Sequence, residues 1–205
     1  MKQKQLELIL QQIPPPPNPK PELEQYQTPA SIAADMLYLA LAHGDIANKK
    51  VIDLGCGTGM FSIGAALLGA QKTLGVDSDQ TSIDIAQDFA KKHNLSTEFI
   101  TQDISTVDIS CDTVLMNPPF GAQKSNEKAD RAFLVKAYEI GDVVYSLHLA
   151  KTLPFLQTLI SAIGGKLDIQ KQYDFPIPRM FSFHQDMKRT FDVILLRITH
   201  EHGTK

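Results

Sequence analysis

The N-terminal part of the chain contains two apolar patterns with helical spacing. The stretch KQKQLELILQQ near the start is typical of a short amphipathic helix. A second pattern begins at Pro29 in PASIAADMLYLALAHGD, where Ile32, Met36 and Leu39 recur near one face. Gly44 ends this run, because glycine favours the residue just beyond a helix. We therefore predict two helices before the first strand.

From Val51 onwards, apolar runs typical of strands alternate with segments of helical period. The strand-like runs are VIDL, KTLGVDSD, STEFITQDI, CDTVLMN, DVVYSLHL, KLDIQKQYDFP and TFDVILLRITH. Strands that alternate with helices predict a largely parallel sheet with right-handed crossovers. The last two runs are joined by a polar loop that contains Pro176 and Pro178, with no helix between them, so we expect them to pair antiparallel. The predicted fold is α/β and Rossmann-like: a mostly parallel twisted sheet of about seven strands, helices on both faces and an antiparallel C-terminal hairpin edge.

A proline-rich segment separates the two N-terminal helices. In IPPPPNPKPELEQYQTP, four consecutive prolines start at Pro14, and Pro19 and Pro21 follow. Such a run favours extended polyproline geometry and forms either a semi-rigid spacer or a strap across the domain. We divide the chain into an N-terminal helix and proline-rich strap at 1–28 and one α/β domain at 29–205.

Composition and charge restrict the possible partners. The chain has 205 residues, of which 43% are hydrophobic and 21% charged, as in an ordinary globular domain. Its formal net charge of −3 shows that the whole chain is not a polycation. Binding to nucleic acid would therefore need a local basic patch or the help of a partner.

The cysteines and histidines give no sign of a disulfide framework or a metal site. Cys56 and Cys111 lack CxxC spacing and adjoin apolar runs, which favours a reducing compartment. The six histidines show no paired ligand spacing, so we predict no metal. No apolar run reaches the roughly 18 residues of a membrane span, and the N-terminus lacks the apolar core of a signal peptide. We expect a cytoplasmic protein without membrane association.

A glycine-rich turn follows the first predicted strand in VIDLGCGTG. Gly55, Gly57 and Gly59 permit positive φ angles and a close approach of a ligand to the backbone. The helix just beyond contributes free N–H groups. Asp53, directly before the turn, can accept hydrogen bonds or complement a cationic ligand. Turns need glycine anyway, so the weight of this motif comes from its place between a strand and a helix.

Acidic residues follow the next two predicted strands. Asp77 lies about 20 residues after the turn, where a ribose-binding acid is expected in a Rossmann-like sheet. The GxGxG spacing, rather than GxGxxG, favours a ligand with an adenosine and no pyrophosphate, and S-adenosylmethionine fits. Asp103 in TQDI is then placed to accept from the adenine amino group. The alternatives are a helix cap for Asp77 and a turn for Asp103.

The fourth strand-like run ends in NPPF. Pro118 and Pro119 have no backbone N–H, so the hydrogen-bonded ladder must stop there. The side-chain oxygen of Asn117 and the carbonyl of Pro118 can accept the two protons of an exocyclic amine, which turns its lone pair towards a methyl donor. Phe120 can stack on a planar base, an interaction worth about 1–3 kcal/mol. The alternative is an Asn–Pro turn with a core phenylalanine, but the glycine turn and the acids upstream favour the amine site.

Together these motifs resemble those of a known enzyme family. DLGCGTG, GVDSD and NPPF are similar to the class I, S-adenosylmethionine-dependent methyltransferases that modify exocyclic amino nitrogens. The segments LEQYQTPASIAADML, FGAQKSNEKADRAFL, VYSLH and a late FH resemble one branch more closely. That branch is methyltransferase-like protein five, the small-subunit ribosomal RNA adenine-N6 methyltransferase, with its archaeal relatives. The resemblance covers nearly the whole chain and makes 29–205 a class I methyltransferase domain.

The resemblance implies roles for particular residues and partners. Gln25 and Thr28 are expected to close over the cofactor, which makes the proline-rich segment a strap. The predicted contacts with S-adenosylmethionine come from Gln25, Tyr26, Thr28, Asp53, Gly55, Gly57, Thr58, Gly59, Met60, Asp77, Asp103, Ile104 and Asn117. The catalytic element would consist of Asn117, Pro118, Pro119 and Phe120. The resemblance also implies RNA as the substrate and a small zinc-binding activator subunit that pairs with a sheet edge as a heterodimer.

Candidate contacts with the substrate lie mainly after NPPF and in the late hairpin loop. They are Lys124, Lys128, Arg131, Tyr145, His148, Arg179, His184, Lys188 and Arg189. A core tyrosine and a buried, hydrogen-bonded histidine fit Tyr145 and His148 at least as well, and the basic residues also fit ordinary solvated charges. We expect the polar loop from Gly121 to Lys128 to be mobile and to order over the substrate.

Three other functions stay open from the residues alone. Guanine-N2 methylation of ribosomal RNA and methylation of a protein glutamine amide present the same kind of planar amine. A non-catalytic module that binds S-adenosylmethionine or RNA is the alternative outside enzymes. An intact Asn117 beside an intact glycine turn argues against such a module, because a pure scaffold needs neither.

Overall fold

The computed structural model describes residues 1–20, 25–120, 129–177 and 189–201, in which helices and strands alternate as predicted. The described helices are α1 (Gln3–Leu10), α2 (Ala30–Ala42), α3 (Met60–Leu67), α4 (Gln80–Lys92), α5 (Ala129–Ile140) and α6 (Leu153–Ala162). The described strands are β1 (Lys50–Leu54), β2 (Lys72–Asp77), β3 (Thr97–Thr101), β4 (Cys111–Met116), β5 (Gly141–Leu149), β6 (Gly165–Ile177) and β7 (Arg189–His200).

These strands form one seven-stranded sheet in the order β3-β2-β1-β4-β5-β7-β6. The first five strands of the chain pair in parallel, and β7 runs antiparallel to both β5 and β6. The predicted Rossmann-like fold class with an antiparallel C-terminal hairpin is therefore confirmed. The last strand of the chain inserts between β5 and β6, so β6 rather than β7 forms the sheet edge.

The edge position of β6 explains a difference from the predicted strand boundary. The sequence pattern places Pro176 in the hairpin loop, whereas the structure pairs it with Thr190 inside the β6–β7 ladder. Proline is tolerated in an edge strand, because its missing N–H can face away from the neighbouring strand. A bulge between Ile169 and Lys171 further interrupts this strand, and bulges commonly blunt exposed edges.

The sheet separates two apolar cores, as helices on both faces require. One core packs α1 to α4 on the sheet, with Leu37, Ile63 and Leu115 fully buried. The other packs α5 and α6 on the opposite face around Val114 and Leu156. Successive strand residues point to opposite faces, which is why neighbours such as Val114 and Leu115 belong to different cores.

The N-terminal helix belongs to the first of these cores. Leu6 and Leu10 of α1 are fully buried against α2 and α3. Asp35 of α2 adds polar ties, since its carboxylate accepts from Lys171 Nζ at 2.7 Å and Tyr173 Oη at 2.6 Å on β6. The division of the chain after residue 28 stays a prediction, although α1 shares the core of the following domain.

Two general properties of the described ranges bear on function. None of the helices there is long and apolar enough to cross a membrane. In the same ranges, no group of three or more His, Cys, Asp or Glu side chains converges in a way that would hold a metal ion. Cys56 and Cys111 are buried free thiols.

Candidate active site

An open cavity lies at the carboxyl ends of β1, β2 and β4, where open α/β sheets bind their ligands. Four loops and the segment before α2 contribute to its wall. The wall includes most of the predicted cofactor residues, namely Gln25, Tyr26, Thr28, Gly55, Gly57, Thr58, Met60, Asp77, Asp103, Ile104 and Asn117. The structure thus brings together side chains that are widely separated in the chain.

Two glycines of the turn after β1 shape the floor of the cavity. Gly55 has a φ of +73°, and a Cβ there would lie 2.7 Å from Cε1 of Phe133 on α5. Gly57 has a φ of +50°, and a Cβ there would meet nothing within 4 Å. The first glycine therefore allows close helix packing, and the second combines a positive φ with open space beside its Cα. Gly59 instead precedes α3 as its N-cap and does not line the cavity.

Asp77 ties the end of β2 to the glycine turn. Its Oδ2 accepts from the Gly57 N–H at 2.8 Å, and its Oδ1 accepts from the Asp79 N–H at 2.9 Å. Burial raises the pKa of Asp77. Each carboxylate oxygen has a further lone pair for a ligand hydroxyl. The helix cap considered for Asp77 is supplied by Asp79, whose side chain accepts from the Ser82 N–H at the start of α4.

Asp53 lies behind the turn rather than on the cavity wall. It is 1% exposed, and its Oδ2 accepts from the Ser62 N–H in α3 at 2.8 Å. Its Oδ1 has no hydrogen-bond partner among the described residues. Burial raises the pKa of Asp53 to about 7. The direct cofactor contact predicted for Asp53 is therefore not seen, and its position favours anchoring of α3 to the turn.

The buried carboxyl of Asp53 predicts a particular dependence of stability on pH. Its folded pKa of about 7 lies above the ordinary value of 3.8, so the folded chain holds more protons between these pH values. The contribution to the unfolding free energy is therefore most favourable below pH 4 and declines as the pH rises to about 7. The unfolding free energies of the wild type and Asp53→Asn, measured by chemical denaturation from pH 5 to 8, should differ by an amount that changes with pH. A constant difference would contradict the raised pKa.

The segment before α2 lines part of the cavity; we define residues 13–20 and 25–28 as the strap. Gln27 Nε2 donates to Thr58 Oγ1 at 3.2 Å and to the carbonyl of Ile13 at 3.1 Å. Gln25 Nε2 donates to Asp79 Oδ2 at 3.1 Å. These bonds fasten the strap to the glycine turn and to the loop after β2.

An ion pair strengthens the attachment of the strap to that second loop. Lys20 Nζ lies 2.7 Å from Asp79 Oδ1, and the carboxylate is only 5% exposed. Burial alone would raise the pKa of Asp79, but hydrogen bonds from Lys20, Ser82 and Gln25 hold it at about 2. The strap is therefore held by a carboxylate that is ionised at neutral pH.

Asn117 presents an oxygen without a donor. Its Nδ2 donates to Thr28 Oγ1 at 3.0 Å, and its Oδ1 is buried without a hydrogen-bond partner in the described part of the chain. Native proteins leave few buried polar atoms unpaired, so an unpaired acceptor in a residue of the cavity wall indicates a ligand group that donates to it. Pro119 also lines the cavity, whereas Pro118 is buried.

Phe120 lies beside the cavity rather than in its wall. Its ring meets that of Phe175 edge to face, with centroids 5.6 Å apart and an interplanar angle of 86°. Phe175 is fully buried near the end of β6. Phe120 itself is half-buried, so part of its ring stays available beside Asn117.

Asp103 forms the turn considered as its alternative role and also lines the cavity. Its Oδ1 accepts from the backbone N–H and the hydroxyl of Ser105 at 2.8 and 2.7 Å, which caps the short 3-10 helix Ile104–Thr106. These bonds lower the pKa of Asp103. The side chain is exposed and also lines the cavity. The turn is therefore present, and contact of Asp103 with adenine stays a prediction.

Tyr145 and His148 do not face the cavity. Tyr145 is fully buried, and its hydroxyl donates to Asp45 Oδ2 at 2.7 Å. Burial lowers the pKa of His148 to about 3, and its Nε2 lies 2.7 Å from Ser146 Oγ. The substrate contact suggested for them is thus not supported, because both β5 side chains are packed into the interior. The core tyrosine and the satisfied histidine considered as alternatives fit their positions.

Removal of the Tyr145 hydroxyl is expected to affect stability rather than activity. Tyr145→Phe loses the bond that its hydroxyl donates to Asp45 and the one that it accepts from Arg197 Nε at 3.0 Å, while Arg197 Nε still pairs with Asp45 at 3.0 Å. We expect the unfolding free energy to fall by about 1–2 kcal/mol in chemical denaturation, with unchanged turnover. Tyr138→Phe is the control, because its hydroxyl bonds Gly164 at an exposed position where water can substitute. Loss of turnover with unchanged stability would instead indicate that Tyr145 contacts the substrate.

The other candidate substrate contacts are only partly described. Arg131 is exposed near the start of α5, beside a shallow cavity that it shares with Asp103 and Ile104. Arg189 begins β7. Lys124, Lys128, Arg179, His184 and Lys188 lie outside the described residues, as does the loop from Gly121 to Lys128.

Several residues around the cavity were not among the site residues predicted from the sequence. Gln27 fastens the strap although only its neighbours Gln25 and Thr28 match a family pattern, and Phe133 lies under the glycine turn. Asp79 takes both strap contacts although it is two residues beyond the expected ribose acid. The sequence signal for Gln27 and Asp79 is the density of polar side chains in LEQYQTP and GVDSD.

Comparison with known proteins identifies the enzyme class. Residues 30–141 match the methyltransferase small domain family, and this match spans more than half of the chain. The chain belongs to the methyltransferase small domain family.

Two relatives match nearly the entire chain. The rRNA N6-adenosine-methyltransferase METTL5 of Danio rerio is 37% identical and covers 97% of this chain and 99% of its own length. An uncharacterised protein of Methanocaldococcus jannaschii is 40% identical, with 97% of this chain and 94% of the relative covered. The resemblance to methyltransferase-like protein five and its archaeal relatives is therefore confirmed.

A solved structure extends the similarity to three dimensions. A Pyrococcus horikoshii protein, provisionally described as an RNA methyltransferase, superposes with a TM-score of 0.90 at 36% identity and covers 98% of both chains. This agreement includes the antiparallel end of the sheet, since almost no residue of either chain is left out.

Proposed function

We propose that this chain uses S-adenosylmethionine to methylate the exocyclic N6 amino group of an adenine in RNA, and that the RNA is small-subunit ribosomal RNA. The observation that carries the reaction type is the Asn117 side-chain oxygen, which is buried without a donor among the described residues while Asn117 lines the cavity. An acceptor left open in this way fits a substrate that brings its own protons, as an amine does.

The cavity suits the proposed methyl donor by the chemistry of its wall. There is open space beside the Cα of Gly57, and Asp77 offers further carboxylate lone pairs to ribose hydroxyls. Asp103 and Ile104 line the cavity beyond Asp77 and suit an adenine ring. When bound, S-adenosylmethionine supplies a methyl group on a positively charged sulfur that an amine nitrogen can attack.

The residues of NPPF prepare the amine for this attack. An exocyclic amine is a weak nucleophile, because its lone pair is delocalised into the ring. Asn117 Oδ1 accepts one amine proton and the Pro118 carbonyl accepts the other, which draws the nitrogen towards tetrahedral geometry. Pro118 and Pro119 restrict the backbone that carries both acceptors, so little ordering is needed at the moment of reaction. Phe120 contacts the flat base at this position.

Adenine is the preferred target among the planar amines considered. Guanine-N2 and the glutamine amide satisfy the same pair of acceptors, so the acceptors alone do not choose between them. A relative whose name specifies rRNA N6-adenosine methylation matches 97% of the chain at 37% identity. That match reaches well beyond the family region of 30–141, into the segments before and after it, which supports the same substrate here.

The proposal also includes binding partners and a cellular location. RNA docking by the basic residues around the active site stays a prediction, as does a heterodimer with a small zinc-binding activator subunit. The sheet offers two edges for such a partner, at β3 and β6. Buried free thiols at Cys56 and Cys111 suit a reducing compartment, and we place the enzyme in the cytoplasm on that ground.

One experiment tests the proposed reaction directly. The protein is incubated with isotope-labelled S-adenosylmethionine and unmodified small-subunit ribosomal RNA, and the RNA is digested to nucleosides. Labelled N6-methyladenosine is the expected product. Labelled N2-methylguanosine, label on a protein glutamine or no transfer at all would overturn the proposal.

A further inference from the structure

We propose that Thr28 is a positioning residue that sets the orientation of the Asn117 side-chain amide for methyl transfer. This inference rests on the proposed function, because it assigns Asn117 Oδ1 the task of accepting an amine proton. It gives Thr28 a role beyond closure over the cofactor, since its hydroxyl contacts the amide that faces the substrate.

The need for such a residue follows from the symmetry of an amide. The two ends of the Asn117 amide have nearly the same size but opposite hydrogen-bonding roles. Half a turn about the last side-chain bond would present Nδ2 to the substrate amine, and two donors would then face each other. Catalysis therefore requires a contact that holds the nitrogen end away from the substrate.

Thr28 makes that contact in the structure. Its Oγ1 lies 3.0 Å from Asn117 Nδ2, and the two residues are 89 positions apart in the chain. Thr28 is 6% exposed, so water does not readily replace its hydroxyl. The opposite end of the amide, Oδ1, is the atom that no described residue contacts. One end of the amide is thus held, and the other is left for a ligand.

The backbone around Thr28 is well suited to hold this hydroxyl in place. Pro29 follows directly, and its carbonyl accepts from the Ala33 N–H at 2.9 Å to begin α2. On the other side, Gln27 is fastened to Thr58 of the glycine turn. The hydroxyl is therefore carried between a core helix and the cofactor loop, which links the strap to the catalytic amide. A group supported on rigid elements holds its neighbour more accurately than one on a free loop.

Substitutions at Thr28 separate this role from a contact with the cofactor. Thr28→Val keeps the shape but removes the hydroxyl, and Thr28→Ser keeps the hydroxyl. For Thr28→Val we expect kcat at saturating S-adenosylmethionine to fall about 10- to 100-fold, as for a misplaced catalytic group. The Kd of S-adenosylhomocysteine in calorimetry should change less than about threefold, and Thr28→Ser should restore kcat to within about threefold of the wild type.

A matched control excludes a general effect of losing a buried hydroxyl. Thr113 on β4 is 1% exposed, and its hydroxyl donates to the Asp45 carbonyl at 2.6 Å, away from the cavity. Thr113→Val should lower the melting temperature without lowering kcat. Thr28→Ala serves as a second variant if valine hinders folding, because it also removes the hydroxyl, with less bulk.

Defined outcomes overturn the inference. It fails if Thr28→Val and Thr28→Ala keep the wild-type kcat, or if serine does not restore it. It also fails if the Kd of S-adenosylhomocysteine weakens in step with kcat/KM while saturating cofactor restores kcat, because Thr28 would then act through the cofactor. If the wild-type chain transfers no methyl group to ribosomal RNA, the proposed function itself fails, and the inference fails with it. A wild type that methylates guanine would overturn the adenine assignment alone.

Discussion

Asn117→Ala is expected to lower kcat for methyl transfer about 100- to 1000-fold, with the Kd of S-adenosylhomocysteine changed less than about tenfold. The side chain supplies the acceptor for one amine proton, and alanine leaves the nucleophile delocalised into its ring. No described residue donates to this acceptor, so among the described residues its removal costs only the hydrogen bond from Nδ2 to Thr28. Loss of activity should therefore come without a large loss of stability. Turnover on unmodified ribosomal RNA and calorimetry give the two quantities.

Asn117→Asp is the informative companion to the alanine variant. It keeps an oxygen where the amine proton is accepted, so its kcat should exceed that of Asn117→Ala. Its buried carboxylate is expected to lower the unfolding free energy, because an ionised group leaves water. Wild-type turnover in Asn117→Ala would contradict the proposed mechanism. Equal kcat values in Asn117→Ala and Asn117→Asp would show that the side-chain oxygen does not contribute to catalysis.

Asp77→Asn should weaken the binding of S-adenosylhomocysteine about 10- to 100-fold. Both carboxylate oxygens accept from backbone N–H groups, those of Gly57 and Asp79. An asparagine offers only one acceptor end, so one N–H would face another donor, which costs about 1–3 kcal/mol. The glycine turn would move, and the ribose hydroxyls would lose an acceptor at the same time. Calorimetric titration measures the Kd.

Asp112→Asn is the matched control for this substitution. Asp112 Oδ2 accepts from the Lys50 N–H at 2.6 Å, at the opposite end of the parallel strands. It has the same chemistry as Asp77 but lies away from the cavity, so its substitution should leave the Kd unchanged. Equal Kd values in Asp77→Asn and the wild type, with similar losses of stability in both variants, would reduce Asp77 to a structural role.

Much of the fold follows from local patterns in the chain. The alternation of strand-like and helical runs predicts the parallel sheet, and each predicted strand is present in the structure. The position of β7 could not be predicted in this way. β6 and β7 would pair antiparallel whichever of them lay next to β5. Which strand takes the inner position depends on which one packs better between two apolar layers. In β7, Val193 to Leu196 and Ile198 are nearly fully buried.

The sequence by itself determined the fold class and the end of the strands at which the candidate active site lies. Glycines, acids and NPPF each follow a strand, and parallel strands bring their carboxyl ends to one edge. Only the tertiary structure decided which side chains meet there: that Thr28 holds Asn117, that Asp79 rather than Asp77 caps α4, and that Tyr145 points inward. Those contacts join segments far apart in the chain, and their geometry depends on how helices pack on the sheet, which no local pattern records.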